Sequence, residues 1–183
     1  MQRMSRPASA VTQRESGRES ERETAQPASF ETFFEAQNPK LLRALYLLTG
    51  NAQEAEEIMQ DTFVAVWERW DRVGSMESPA GYLYRTAMNR FRSRARRATR
   101  AAREVLGSTG SGDAFAAADE RDALARALAR LPDRQRAAIV LVELLGYGSD
   151  EAGEILGVKG VTVRSLASQA RATLRTALED RDA

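Results

Sequence analysis

Apolar residues recur every three or four positions along most of this chain, the period of an amphipathic α-helix, and no stretch alternates apolar and polar residues as a strand does. The first run opens at Phe30 and continues through Phe33, Phe34, Leu41, Leu42, Leu45 and Leu48. Pro39 predicts a kink or a restart within it, and Gly50-Asn51 its end. A second helix is predicted from about Ala52 to Trp70, burying Ala55, Ile58, Met59, Phe63, Val66, Trp67 and Trp70 and leaving Glu54, Glu57, Gln60, Asp61 and Glu68 outside. Asp71 to Glu77, with Gly74, reads as a short loop. Ser78 then supplies an N-cap and Pro79 a preset first helical residue, opening a third helix that turns Leu83, Ala87 and Phe91 inward.

The pattern lapses from about Ala98 to Ala118, where Ala, Gly, Ser and Arg dominate around GSTGSGD, the composition of a flexible linker. Fully extended, some twenty residues reach about 70 Å. Helical spacing resumes near Asp119. Leu124, Leu128 and Leu131 line one helix, Pro132 punctuates, and Arg134 to Leu145 supplies another that buries Ile139, Val140, Leu141, Leu144 and Leu145 before Gly146 caps it.

The last stretch, Tyr147 to Arg175, reads as two helices joined by a tight turn. Ser149 and Asp150 offer side-chain oxygens for a helix start, Ala152, Ile155 and Leu156 form its stripe, Gly157 ends it, and Val158 plugs the angle. The second helix starts near Gly160 or Val161. It buries Val163, Leu166 or Ala167, Ala170 and Leu174 and shows Thr162, Arg164, Ser165, Ser168, Gln169, Arg171 and Arg175. That outer face carries hydrogen-bonding and cationic groups and no acid, the side chains that pair with base edges and phosphates in a major groove. A helical hairpin with a merely solvated outer face is the plainer alternative. The missing acids and the glycine turn favour DNA.

Composition narrows the picture further. With no cysteine and no histidine, the chain excludes disulfides, thiolate chemistry, zinc fingers and a histidine-based triad. The first thirty residues lack an apolar signal core and no apolar run approaches a membrane span, so a cytoplasmic, nucleoid-associated protein without membrane insertion is expected. Residues 1–29 are polar, with five arginines and four glutamates, and read as a disordered arm. Residues 179–183 read as a tail, and no further C-terminal domain is expected. The net charge of +1 hides a segregated distribution. Asn51 to Asp71 holds six acids, Glu54, Glu56, Glu57, Asp61, Glu68 and Asp71, against Arg69 alone, whereas Arg85 to Arg103 holds eight arginines and no acid. Arginines so crowded repel one another unless a polyanion neutralises them. Tyr82, Tyr84 and Trp70 lie beside that basic surface, where aromatic rings stack on unpaired bases or simply pack in the core.

With these motifs together, the chain resembles a sigma factor of the extracytoplasmic-function type, the compact bacterial kind that keeps only regions 2 and 4 of the sigma-70 family. The resemblance spans about Phe30 to Arg175 apart from the linker. It rests on EAEEIMQDTF at Glu54 to Phe63, on SPAGYLYRTAMNRFRSRARR, on LPDRQRAAIVL, and on Glu151, Leu156-Gly157 and TVRS at Thr162 to Ser165. It implies an all-α fold of two small domains, region 2 over residues 30–98 and a four-helix region 4 over 119–178, joined by a linker at 99–118. Glu54, Glu57, Gln60 and Asp61 would grip the β′ clamp helices of core RNA polymerase. The loop Arg72 to Ser78, with Arg72 and Ser75, would receive a flipped base of the minus-ten element. Tyr82, Arg85, Asn89, Arg90, Arg92, Arg96 and Arg97 would read and melt that element, and Thr162, Arg164, Ser165, Ser168, Gln169 and Arg171 would reach the minus-thirty-five element as duplex. The resemblance further implies contact with the β flap and control by an anti-sigma factor. It implies no cofactor, no small-molecule substrate and no catalytic residue, since polymerase performs the chemistry.

Several positions depart from the family pattern. Ser93 stands where aspartate is usual, Tyr82 where tryptophan is, Leu166 and Gln169 where arginines are, and Gly148, Ala152 and Gly153 replace serine, isoleucine and alanine. Two lost arginines weaken phosphate contact, and Gly153 costs about 1 kcal/mol of helix propensity. Two rivals remain open at the level of sequence. One is a two-domain regulator that binds duplex DNA without polymerase. The other is an enzyme holding a divalent metal between Glu57 and Asp61, although no second ligand cluster faces them.

Overall fold

A computed structural model describes residues 29–106 and 120–182 of the chain. Residues 1–28 of the expected arm, residues 107–118 of the expected linker, residue 119 and residue 183 lie outside the described residues. Among the described residues every regular element is helical and no strand occurs.

Helix α1 (Phe30–Thr49) starts where the Ser29 hydroxyl accepts the Thr32 amide at 3.3 Å. It stops at Gly50, whose φ of 69° is the left-handed conformation glycine takes without penalty. Pro39 does not break it: the helix runs through, with Pro39 on its exposed side. Helix α2 (Ala52–Trp67) is capped by the Asn51 side chain, which accepts from the Glu54 amide at 3.1 Å. Ala55, Ile58, Phe63 and Val66 are buried as expected, but the helix ends at Trp67, and that side chain is 62% exposed. Trp70 opens a one-turn helix, α3 (Trp70–Val73), inside the segment expected to be loop. The change of direction brings its ring within 5.0 Å of Phe33 and 5.4 Å of Phe30, centroid to centroid. The stripe assigned to a single helix is thus split between two, and Trp67 falls on the outer side of the break.

Helix α4 (Pro79–Leu106) begins as predicted, with the Ser78 hydroxyl accepting the Gly81 amide at 3.0 Å. It buries Leu83, Tyr84, Ala87, Met88 and Phe91. It also runs eight residues past residue 98, to Leu106, into the segment expected as linker. The cause is local: ATRAAREVL is rich in strong helix formers and meets no glycine until Gly107.

Helix α5 (Glu120–Ala129) buries Ala125 and Leu128 with Leu131 just beyond, whereas Leu124, expected inside, is 45% exposed. Helix α6 (Asp133–Ile139) passes into a π-helical segment, Val140–Leu144, rather than continuing as one α-helix to Leu145. The Leu145 amide bonds the Val140 carbonyl at 3.1 Å, which inserts a residue into the turn before Gly146, at φ 69°, reverses the chain. Helices α7 (Ser149–Leu156) and α8 (Gly160–Asp182) form the anticipated pair, with Gly157 left-handed between them. The start of α7 differs in one detail. Its cap is Gly148, whose amide is taken by the Glu151 carboxylate at 2.7 Å, so Glu151 supplies the oxygen expected of Ser149 and Asp150.

The two halves pack against each other, α4 on α7 and α1 on α5, and the buried apolar cluster runs from Phe33 and Leu45 through Met88 and Phe91 to Leu141 and Ile155.

Candidate nucleic-acid and partner interfaces

The acidic face of α2 is solvent-facing, with Glu57, Gln60 and Asp61 exposed and Glu54 half-buried. It is not free of cations. Arg94 on α4 bonds Glu57 at 2.7 Å and approaches Asp61 at 3.6 Å, while Arg90 reaches Asp61 at 3.5 Å. The hydrogen bond from Arg94 holds the Glu57 carboxyl below the usual range, and the same bond raises the Arg94 guanidinium. Val64 and Trp67, 54% and 62% exposed, continue this face at three- and four-residue spacing from Gln60 and Asp61. Helical periodicity alone puts Trp67 in the core, but its side chain lies outside it. The signal that Val64 and Trp67 both extend the acidic row lay in their spacing.

Beyond this seam lies the basic surface. In the loop, Arg72 is exposed and the Ser75 hydroxyl donates to its carbonyl at 2.9 Å. Along α4, Tyr82 is half-buried and Arg85, Asn89, Arg96 and Arg97 are exposed. A groove of about 510 Å³ is lined by Asp61, Thr86, Asn89, Arg90, Ser93, Arg94 and Arg97. The Arg90 Nε is buried there without a partner. Arg97 folds back on Ser93, 3.4 Å from both its carbonyl and its hydroxyl.

Arg92 stands apart from this set. One of its terminal nitrogens donates to the Leu156 carbonyl at 2.8 Å, sixty-four residues away at the last turn of α7, and the other to Asn89 at 2.8 Å. A cation at a helix C-terminus meets the negative end of the helix dipole. Partial burial, followed by the nearby charges of Arg96 and Arg134, lowers the Arg92 guanidinium from its ordinary value. The Arg136 guanidinium lies over the Phe91 ring, 5.7 Å from its centre, and Tyr84 meets Tyr147 edge-on at 5.6 Å, completing the contact between the halves. Arg92→Met removes two charged hydrogen bonds, one of them exposed, but also relieves the crowding of three arginines. A net loss of about 1 kcal/mol is expected, read as a melting temperature lower by about 2–4 °C.

On α8 the residues expected to face DNA, Thr162, Arg164, Ser165, Ser168, Gln169 and Arg171, are all exposed, opposite buried Val163, Ala167 and Ala170. Two are held by neighbours: Gln135 donates to Gln169 at 3.1 Å, and Arg171 pairs with Glu143 at 2.6 Å. The turn before this helix is unusually close. A Cβ on Gly153 would lie 2.7 Å from the Val158 carbonyl oxygen and 3.1 Å from the Gly160 nitrogen. Glycine, costly in a helix, is here what lets α7 approach the turn.

Among the described residues no group of three His, Cys, Asp or Glu side chains converges as a metal site would, and no helix is long and apolar enough to cross a membrane.

The fold and these surfaces define a two-domain, all-helical protein with a helix-turn-helix unit at its C-terminal side. Comparison with known proteins narrows this. Residues 33–101 match the profile of Sigma-70 region 2 and residues 121–174 that of Sigma-70, region 4. An extracytoplasmic-function RNA polymerase sigma factor, SigE, of Mycolicibacterium smegmatis is 34% identical over 149 residues, 74% of this chain and 56% of that protein, so the chain spans little more than half of that relative's length. The RNA polymerase sigma-E factor of Streptomyces avermitilis is 28% identical over 155 residues, 84% of this chain and 87% of that one. Among solved structures, the sigma factor RpoE of Bartonella quintana, in complex with the anti-sigma factor NepR, superposes with a TM-score of 0.68 at 26% identity, covering 82% of this chain and 96% of that one. CnrH, bound to the cytosolic domain of CnrY, gives 0.60 at 26% identity, covering 84% and 89%. The chain belongs to the sigma-70 family, as a sigma factor of the extracytoplasmic-function group.

Proposed function

We propose that this protein is an alternative sigma factor whose α2 face grips core RNA polymerase, whose α4 and adjoining loop hold the melted minus-ten element, and whose α8 reads the minus-thirty-five element as duplex. The observation that carries the reading is the juxtaposition on one helical pair: an exposed acidic row on α2 lies directly beside an arginine-lined groove on α4. On α2, Glu57, Gln60 and Asp61 offer charge to a basic partner, and Val64 with Trp67 offers apolar area of the kind that anchors interfaces. On α4, Tyr82, Arg85, Asn89, Arg90, Arg96 and Arg97 offer a stacking ring and phosphate contacts, with Arg72 and Ser75 at the loop. Taking a base out of the stack costs a few kcal/mol, and stacking returns about 1–3 kcal/mol per base. Sequestering bases opened by polymerase is therefore within reach of such a surface.

Arg92 enters this scheme only once the halves part, because its guanidinium is engaged on the Leu156 carbonyl. None of these roles involves bond-making by the protein itself. It would work in the cytoplasm, on the nucleoid, with no cofactor. RpoE of Bartonella quintana was solved bound to the anti-sigma factor NepR, and a partner of that kind is proposed here also. In vitro transcription from a genomic promoter library, with core polymerase of the same host, is expected to give start sites that depend on this protein. Identical start sites with and without it would overturn the reading, and tight sequence-specific binding in the absence of polymerase would favour the duplex-binding regulator.

A further inference from the structure

One residue near the centre of the outward face of α8 is not among the polar residues above. With about 100° between successive residues, Val161 points about 180° from Ala170, about 160° from Val163 and about 120° from Ala167, all buried. Ser168 lies about 20° to one side of it and Ser165 about 40° to the other, with the arginines 164 and 171 and the polar Thr162 and Gln169 as flanks. Val161 therefore points away from the domain, beside Ser165, in the first turn of the helix, and it is 60% exposed.

Recognition helices enter the major groove with their N-terminal residues against the base edges. A valine there can neither donate nor accept a hydrogen bond. The apolar feature a major groove offers is the C5-methyl of thymine. Phosphate is disfavoured at the same point, because the Asp150 carboxylate lies where a Cβ of Gly160 would stand and so places negative charge at the start of α8. A single exposed valine is common on protein surfaces. Its position at the middle of a polar, cationic reading face is what gives this one a use.

We infer that Val161 is a specificity residue that reads the C5-methyl group of one thymine in the minus-thirty-five element. The inference rests on the proposed reading of α8 and adds to it an apolar contact that the hydrogen-bonding residues cannot make.

The test uses the full chain with core polymerase on the strongest promoter from the library, with each thymine of the upstream element, on either strand, replaced in turn by deoxyuracil. That exchange removes one methyl group and leaves every hydrogen-bonding group in place. At one position the exchange is expected to lower promoter binding about fourfold, the effect of returning one methyl group to water. With Val161→Ala the thymine and deoxyuracil promoters are expected to bind alike, and Val161→Ile is expected to restore the difference. Because Val161 is largely exposed and outside the buried core, neither variant endangers the fold. If no position responds to the exchange, or if the response survives intact in Val161→Ala, the inference falls while the proposed function stands. If scrambling the entire upstream element leaves binding unchanged, the reading of α8 falls with it.

Discussion

Replacing Glu57 and Asp61 together by lysine is expected to lower affinity for core RNA polymerase by at least about 100-fold. Truncating one partner of a desolvated charge pair costs roughly 2–5 kcal/mol, and tenfold in affinity corresponds to about 1.4 kcal/mol. Two reversals that add repulsion exceed the loss from one truncation. Both residues are exposed, so folding should survive, although the new lysines would face Arg90 and Arg94 and shed the present ion pairs. Exposed pairs of this kind are worth about 0–1 kcal/mol each, too little to unfold the domain. Equilibrium binding to purified core polymerase, with a melting curve as control, decides the matter. In the same assay Trp67→Ala should give a smaller loss, about tenfold, as an apolar anchor without charge. Affinity within threefold of the parent in the doubly reversed protein would remove the acidic face from the mechanism.

Gly153→Ala is expected to destabilise the protein and to impair upstream promoter reading, although propensity alone points the other way. Alanine is the better helix former by about 1 kcal/mol. The new methyl would meet the Val158 carbonyl oxygen at 2.7 Å, the Gly160 nitrogen at 3.1 Å and the Lys159 carbonyl carbon at 3.3 Å. All three are backbone atoms and cannot rotate aside. Overpacking of this sort costs about 1–3 kcal/mol, so the clash wins, by about 1 kcal/mol net, and the melting temperature should fall by about 2–4 °C. Because relief comes from opening the turn, α8 should also tilt, and transcription dependent on the upstream element should fall about tenfold. A higher melting temperature for Gly153→Ala would show that the turn yields without cost.

The helices were legible where local chemistry decides them. Ser78 caps as its side chain dictates, Gly50, Gly146 and Gly157 reverse the chain, and Val163, Ala167 and Ala170 repeat at the spacing that buries them. The surfaces proposed for function were legible for the same reason: a row of acids or arginines at helical spacing shares a face whatever the tertiary fold. What was misread depended on contacts far away in sequence. Trp70 satisfied the period of α2 but pays better attention to the rings of Phe30 and Phe33, so the helix breaks and Trp67 is left outside. The bond from Arg92 to Leu156 joins positions that no window of the sequence connects. Gly153, which propensity marks as a weakness, is explained only by the backbone lying against it.

The ion pairs joining Glu57 and Asp61 to Arg94 and Arg90 make the two proposed surfaces of the N-terminal half antagonists while the protein is alone. Each carboxylate drawn toward a basic polymerase surface would release a guanidinium for a phosphate, and each guanidinium drawn to DNA would release a carboxylate. Thermodynamic linkage requires such an exchange to act equally in both directions. A solitary molecule therefore shields its own charges, and recruitment by the enzyme and capture of the opened strand reinforce one another.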